Sequence, residues 1–209
     1  RLQTQGAAAI LNRHFHHDVA AVTGLDPSSP CLIAGEAVLA YAKGTQCQDL
    51  GYLQQVVVRE DSQYIGMDTQ SRRNLEIDVR STGATDHTLL SLMNTTVTAM
   101  GGRLLQQWLH EPLRDAAQVM LRQHWITETL ANRNTDPIRD SIKPIGDMER
   151  ILTRINLGSA SPRDIGKLRD ALGLLPQIKQ TLSAVSAELN TRLLDALGDF
   201  ALLHQELCD

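Results

Sequence analysis

Apolar residues recur every three or four positions along most of the chain after about residue 86, which is the spacing of one face of an α-helix. This pattern predicts helices within residues 97–109, 117–130, 148–155, 165–175 and 189–207. The second stripe contains His124, which we expect to lie in or near the core. The last stripe predicts a single helical arm.

Short polar side chains and prolines mark the ends of these helices. The first should end at Glu111-Pro112, because the residue before a proline is pushed out of the α region. Asp115, Asp136-Pro137 and Ser161-Pro162 are predicted helix starts, where a capping side chain accepts a hydrogen bond from a backbone N–H. Pro176 is expected to interrupt the fourth helix.

The first 70 residues follow a different pattern. Residues 32–42 predict a short helix that ends at Gly44, after a breaker-rich segment at residues 23–30. Residues 56–59 (VVVR) and 64–68 (YIGMD) have a β-like composition and predict a small hairpin or strand pair. The predicted fold class is therefore mainly α, a multi-helix bundle with a small α/β remnant of short strands near the N-terminus.

Composition and charge argue against several classes of protein. Aromatic residues make up only 3% of the 209 residues, which disfavours an all-β barrel and a protein that stacks on single-stranded nucleic acid. The formal net charge is −4, whereas a protein that neutralises many phosphates is usually basic. Cys31, Cys47 and Cys208 form no Cys-x-x-Cys pair. With no long apolar run, these features predict a cytoplasmic protein without a membrane span.

Motifs of known chemistry are scarce. The sequence has no P-loop motif for ATP, and its one glycine pair, Gly101-Gly102, lies inside an apolar helical stripe. We interpret that pair as a site of close helix packing and not as a phosphate site. Asp147 and Glu149 are two positions apart and would face different ways on a helix. Helix capping and a salt bridge with Arg150 or Arg154 are therefore expected of them, and not paired acid–base chemistry.

Histidines offer the most metal-like pattern. His14, His16, His17 and Asp18 are zinc-ligand types, but neighbouring histidines diverge on a helix and structural zinc sites usually have four well-spaced ligands. A polar helix end is the preferred interpretation. For His124, a core histidine is preferred over a catalytic base.

Arginine outnumbers lysine by sixteen to four. Arg72-Arg73-Asn74 follows the second β-like segment, and eleven basic residues lie between residues 103 and 169. Because arginine favours fixed planar pairing, interdomain salt bridges are the preferred interpretation, with phosphate contact by a few arginines as the alternative.

Four motifs together resemble the MutS family of DNA mismatch repair proteins, most closely its bacterial form. They occur in the family's order at residues 67–77 (MDTQSRRNLEI), 98–113 (TAMGGRLL, with WL and PL after it), 146–155 (GDMERILTRI) and 161–165 (SPRDI). The resemblance implies the end of a connector domain at residues 1–60, a core domain at 61–184, and the start of a lever helix toward the DNA clamp at 185–209.

The family's own chemistry lies in elements that this sequence lacks. Members recognise a mismatch through a Phe-x-Glu motif and hydrolyse ATP with Mg²⁺ at a P-loop, and neither motif is present. The resemblance therefore implies a non-catalytic central segment with no catalytic, cofactor-binding or metal-binding residue and no cofactor of its own. Its expected partners are the rest of the chain and, through the full-length protein, mismatched duplex DNA, a second copy and a MutL-like protein.

A mechanical role follows if the helices are stiff. Residues 104–109, 148–155 and 165–175 would form a rigid body, with residues 189–207 as its arm, that couples distant mismatch and ATPase sites. Three alternatives remain at the level of sequence. The chain could be an independent helical adaptor, a segment of a MutS-like recombination paralogue, or a small metal-dependent enzyme that uses His14 to Asp18.

Overall fold

Helices dominate the chain, as the apolar periodicity predicts. The computed structural model describes residues 6–46, 50–59 and 61–208, and within these ranges it contains twelve α-helices and no strand. The mainly α fold class is confirmed. Two compact units are formed, by residues 1–60 and residues 61–209. No helix in the described ranges is both long enough and apolar enough to span a membrane.

Unit 1 is built around its longest helix. Its elements are α1 (Ala7–Phe15), α2 (Val19–Thr23) and α3 (Pro30–Gln46). α1 packs against both α2 and α3, and the three helices share a buried cluster that contains Leu11, Val19, Leu32 and Leu39. Helix α3 is longer than predicted. It starts at Pro30, where the missing N–H of proline costs no hydrogen bond, and it continues through Gly44.

Unit 2 contains the other nine helices of the described ranges. They are α4 (Thr69–Asn74), α5 (Leu89–Met93), α6 (Ala99–His110), α7 (Ala116–Ala131), α8 (Thr135–Ile142), α9 (Met148–Asn156), α10 (Pro162–Leu182), α11 (Glu188–Ala196) and α12 (Ala201–Glu206). A buried cluster joins α8 to α10 and to the connection between α10 and α11, through Ile138, Ile178, Leu182, Val185 and Ala187. The half-buried Trp125 of α7 packs against this cluster.

The predicted strand pair does not form. Residues 56–59 lie in no regular element, and Tyr64 makes an isolated antiparallel bridge with Leu113 instead. The bridge is flanked by hydrogen bonds from Ile65 N–H to the Pro112 carbonyl (2.8 Å) and from Arg114 N–H to the Gln63 carbonyl (3.0 Å). Residues 63–65 thus attach the start of unit 2 to the α6–α7 connection. The predicted α/β remnant is wrong, since both β-like segments are irregular chain in place of paired strands.

Two predictions about helix ends are also wrong. Helix α10 continues through Pro176 to Leu182, because it buries Ala171 before the proline and Ile178 after it. The predicted arm at residues 189–207 is not one helix, since the chain breaks between α11 and α12. The Lys179 ammonium donates to the Gly198 carbonyl at that break (3.0 Å), and α12 packs against α10.

Smaller differences concern α7 and α8. His124 is exposed and not near the core, and Met120 of the same predicted stripe is 66% exposed. Helix α8 begins at Thr135, so Asp136 lies in its first turn and is not its cap. The predicted starts at Asp115 and Ser161, and the end of α6 at Glu111, are confirmed.

Candidate functional site

An arginine on α6 is placed by the start of its helix. The Thr98 hydroxyl caps α6 by accepting a hydrogen bond from the Gly101 N–H (3.1 Å), and Arg103 follows in the second turn. A Cβ atom on Gly101 would lie 3.0 Å from the Thr98 hydroxyl oxygen, and one on Gly102 would lie 3.3 Å from that of Thr96. The glycine pair therefore allows the preceding loop to pack closely against α6. The predicted close packing of another helix at this pair is wrong.

Arg103 binds two carboxylates at once. Its two terminal nitrogens donate to the two Asp147 oxygens at 2.9 and 2.6 Å. Its Nε and Nη2 donate to one Glu149 oxygen at 2.9 and 2.6 Å. The guanidinium thus uses its planar fork on both partners, which fixes the orientation of α6 relative to the start of α9.

The two acids converge because only one of them is helical. Asp147 is the N-cap of α9, with a non-helical ψ of 84°, and its side chain accepts a hydrogen bond from the Arg150 N–H. Glu149 lies within the first turn. The predicted capping role of Asp147 and its ion pair with Arg150 (3.4 Å) are confirmed. The prediction that the two acids face different ways is wrong, since it assumed helical geometry for both.

A second arginine–carboxylate pair joins α9 to α10. Arg154 donates from Nε and Nη2 to the two Asp164 oxygens at 3.0 and 2.5 Å, so its partner is neither of the acids predicted for it. Asp164 also completes a capping box with Ser161, whose N–H and hydroxyl both donate to one Asp164 oxygen (3.0 and 2.8 Å).

These hydrogen bonds keep the carboxylates ionised. The guanidinium of Arg103 lowers the pKa of Asp147, with a smaller contribution from the Arg150 N–H. Arg154 lowers the pKa of Asp164 well below its ordinary value, with help from the Ser161 N–H and hydroxyl. Asp147 in turn raises the pKa of Arg103, followed by Glu149. Because both aspartates hold their charge at neutral pH, they are unsuited to donate protons.

We name this arrangement the arginine–carboxylate network, consisting of Arg103, Asp147, Glu149, Arg154 and Asp164. It holds α9 at its first turn against α6, and near its last turn against the start of α10. Helix α9 is therefore restrained at both ends by charge-assisted bonds that favour one geometry. The network can couple three helices mechanically, and each of its carboxylates is held by a guanidinium group.

The other residues considered in the sequence have local roles within their own units. His16 ends α1 in a left-handed conformation (φ 59°), and Asp18 caps α2 by accepting from the Ala20 and Ala21 N–H groups. These roles match the polar helix end that the sequence favoured. In the described part of the chain, no three His, Cys, Asp or Glu side chains are grouped as metal ligands would be. Arg72 and Arg73 lie on α4 and line a separate cleft.

Sequence reasoning missed Arg103 and Asp164 as ion-pair partners. Arg103 is 44 and 46 positions away from its two acids, and Arg154 and Asp164 lie in different helices. The available signal was that all five of these residues lie in the motifs that carry the family resemblance. Motifs that together resemble one family are candidates for contact in space.

A comparison with known protein families matches the part of the chain that contains the arginine–carboxylate network. The family model of MutS domain III matches residues 70–209. The match contains every residue of the arginine–carboxylate network and all nine helices of unit 2 except the first residue of α4.

Proposed function

The chain belongs to the MutS family, whose domain III it contains, and from this premise we propose that it is a central, signal-transmitting segment of a DNA mismatch repair protein. It would pass a conformational change between distant sites of the full-length protein. The supporting observation is the arginine–carboxylate network, in which three of the sequence motifs meet. Coupling over a distance needs packed elements with discrete arrangements, and a network of forked ion pairs between helices has that property.

The proposal assigns no reaction to this chain. Binding of mismatched DNA, ATP and Mg²⁺, pairing with a second copy and recruitment of a MutL-like protein belong to the full-length protein. A recombination paralogue is the alternative within the same family. Finding a Phe-x-Glu motif upstream of this segment in the full-length sequence would favour repair over recombination.

The break between α11 and α12 alters how the signal would travel. The sequence favours a straight arm over residues 189–207, but α12 packs against α10. The proposed transmitting body is therefore α6, α9 and α10, and the arm is left out of it.

Replacing Arg103 in the full-length protein tests the proposal. Arg103→Gln removes the charge and the forked hydrogen bonds to Asp147 and Glu149, which should loosen α6 from α9. We expect mismatch affinity to be retained, while the stimulation of ATP turnover by mismatched duplex falls by about fivefold or more. Fluorescence anisotropy with mismatched and matched duplexes measures the first quantity, and steady-state ATP hydrolysis with each duplex measures the second.

Arg150→Gln is the matched control. Arg150 loses the same charge, but its side chain is 73% exposed and its contact with Asp147 is longer, at 3.4 Å. Arg103→Lys, which keeps the charge and loses the fork, should lie between the wild type and Arg103→Gln. If Arg103→Gln folds normally and the ATPase still responds fully to a mismatch, the network does not transmit the signal.

A further inference from the structure

A cleft in unit 2 lies apart from the arginine–carboxylate network. It has a volume of about 440 Å³ and is lined by Thr69, Arg72, Arg73, Asp78, Val79 and His110. Three of these residues follow the i, i+3, i+4 spacing of a single helix face, that of α4. The opposite wall comes from the segment after α4 and from the last residue of α6.

The opposite wall is fixed by local hydrogen bonds. Glu76 adopts a left-handed conformation (φ 49°), and its carbonyl and that of Ile77 accept hydrogen bonds from the first two N–H groups of α5, at 3.0 and 2.8 Å. His110 Nε2 donates to the Asp78 carboxylate at 2.8 Å, and both side chains are about three-quarters buried. The acid of the cleft therefore already has a partner from another element.

The guanidinium of Arg72 has no hydrogen-bond or ion-pair partner among the described residues. Arg72 is half-buried. The neighbouring Arg73 is exposed and donates from one terminal nitrogen to the Ser81 carbonyl (3.0 Å), which leaves its other nitrogens available. An unpaired guanidinium that has lost part of its hydration is a strong attractor for an anion.

We propose that this cleft binds a phosphate group through Arg72 and Arg73, with the Thr69 hydroxyl as a third donor. The helix face supplies donors at three points, and a phosphate carries up to two negative charges against the two guanidinium groups, whereas a carboxylate carries one. Arg72 is the principal binding residue because its charge is not shared with an acid. The phosphate can belong to a small molecule or to a nucleic-acid backbone.

The test uses the 209-residue chain with inorganic phosphate as the probe. In a ¹H–¹⁵N NMR titration at constant ionic strength, we expect saturable shifts confined to the backbone amides of α4, Asp78, Val79 and His110. Arg72→Gln should weaken the phosphate affinity by about tenfold, and Arg73→Gln should weaken it less. Unchanged signals outside the cleft show that each variant remains folded.

Arg163→Gln is the matched control, since Arg163 is exposed, lies on α10 and does not line the cleft. It should change the affinity by less than about twofold. The absence of saturable shifts, equal weakening by Arg163→Gln, or equally tight binding of acetate would each overturn the proposal. Competition by a nucleoside monophosphate supports it with a small ligand as the source, and competition by a short DNA duplex supports it with the backbone as the source.

Discussion

Asn190 is a buried polar residue of which only 1% is exposed. Its carboxamide group connects three parts of unit 2 by hydrogen bonds. Its nitrogen donates to the carbonyls of Leu182 and Val185 at 2.7 and 2.8 Å, and its oxygen accepts from the indole N–H of Trp125 at 3.3 Å. The two carbonyls lie at the end of α10 and in the turn that follows. One side chain therefore supplements the turn hydrogen bond at the Leu182 carbonyl and provides a partner for the Val185 carbonyl.

Replacing Asn190 should destabilise the protein strongly. Asn190→Ala leaves the Val185 carbonyl and the Trp125 indole N–H without partners and removes one of the two hydrogen bonds to the Leu182 carbonyl. We expect the free energy of unfolding to fall by about 2 to 4 kcal/mol. Urea denaturation followed by tryptophan fluorescence measures the change. Asn156→Ala, at an exposed helical position, should change it by less than about 0.5 kcal/mol. Similar losses in the two variants would show that the Asn190 hydrogen bonds carry little stability.

Asn190 also marks the limit of sequence reading at this scale. It follows Leu189, the first apolar residue of the stripe at residues 189–207. The spacing of apolar residues does not indicate which polar side chain between them is buried. For Asp147 and Glu149 the types of interaction were predictable, since capping and ion pairing follow from position. The partner Arg103 was not, because pairing across 44 residues depends on how the helices pack.

At the scale of elements, the start of α10 was predictable and its length was not. Ser161, Pro162 and Asp164 form a local signature, and the structure contains the capping box it indicates. Pro176 is also a local signal, and it normally ends a helix. Here the apolar contacts of Ile178 and Leu182 with α8 stabilise the helical turns after the proline. Tertiary packing therefore overrides the local preference.

The capping box and its arginine make the start of α10 sensitive to acid. The Arg154 guanidinium, and then Ser161, lower the pKa of Asp164 in the folded state below its unfolded value of about 3.9. A carboxyl group with a lowered folded pKa stabilises the protein above its unfolded pKa, and this contribution is lost as the pH falls toward the folded pKa. The stability difference between wild type and Asp164→Asn should therefore be largest near pH 6 and shrink below about pH 4.

Urea denaturation of both proteins at several pH values between 3 and 7 measures that difference. Asp170→Asn is the control, because Asp170 is 66% exposed on the same helix and pairs with its neighbour Arg169. Its difference from wild type should be small and almost constant with pH. A gap between wild type and Asp164→Asn that is independent of pH would show that the ion pair with Arg154 does not stabilise the folded state.

The irregular segments show why strands were predicted wrongly. Residues 56–59 and 64–68 have β-like compositions, but β-propensity reflects the surroundings of a strand more than an intrinsic preference of the backbone. A strand needs a partner with free N–H and C=O groups, and the segment around Tyr64 makes one isolated bridge to Leu113 in the α6–α7 connection. At the break before α12, the Gly198 carbonyl accepts a hydrogen bond from the Lys179 side chain of α10, and the Asp199 carboxylate accepts one from the Ala201 N–H.

At the scale of the whole molecule, the chain has two separate buried cores and an acidic balance. One core lies in unit 1 around Leu11 and Leu32, and the other lies in unit 2 around Ile178 and Leu182. The order of α6 to α10 in unit 2 follows from the sequence, because it depends on periodicity and caps. The short helices α4 and α5 were not predicted, and the last stripe was predicted as one helix and not as α11 and α12. The pairing of motifs in the arginine–carboxylate network does not follow from the sequence, because it depends on three-dimensional packing.

The net charge of −4 restricts how the 209-residue chain meets DNA. Sequence-independent affinity comes mainly from neutralising phosphates, and an acidic chain with one two-arginine cleft can neutralise few of them. We therefore expect weak duplex binding that falls by only about tenfold between about 50 and 200 mM salt, with equal affinity for matched and mismatched duplexes. Fluorescence anisotropy with two duplexes that differ by one base pair measures both properties. A reproducible preference for the mismatched duplex would show that this segment itself reads bases, and the proposed division between a transmitting core and a separate mismatch sensor would then be wrong.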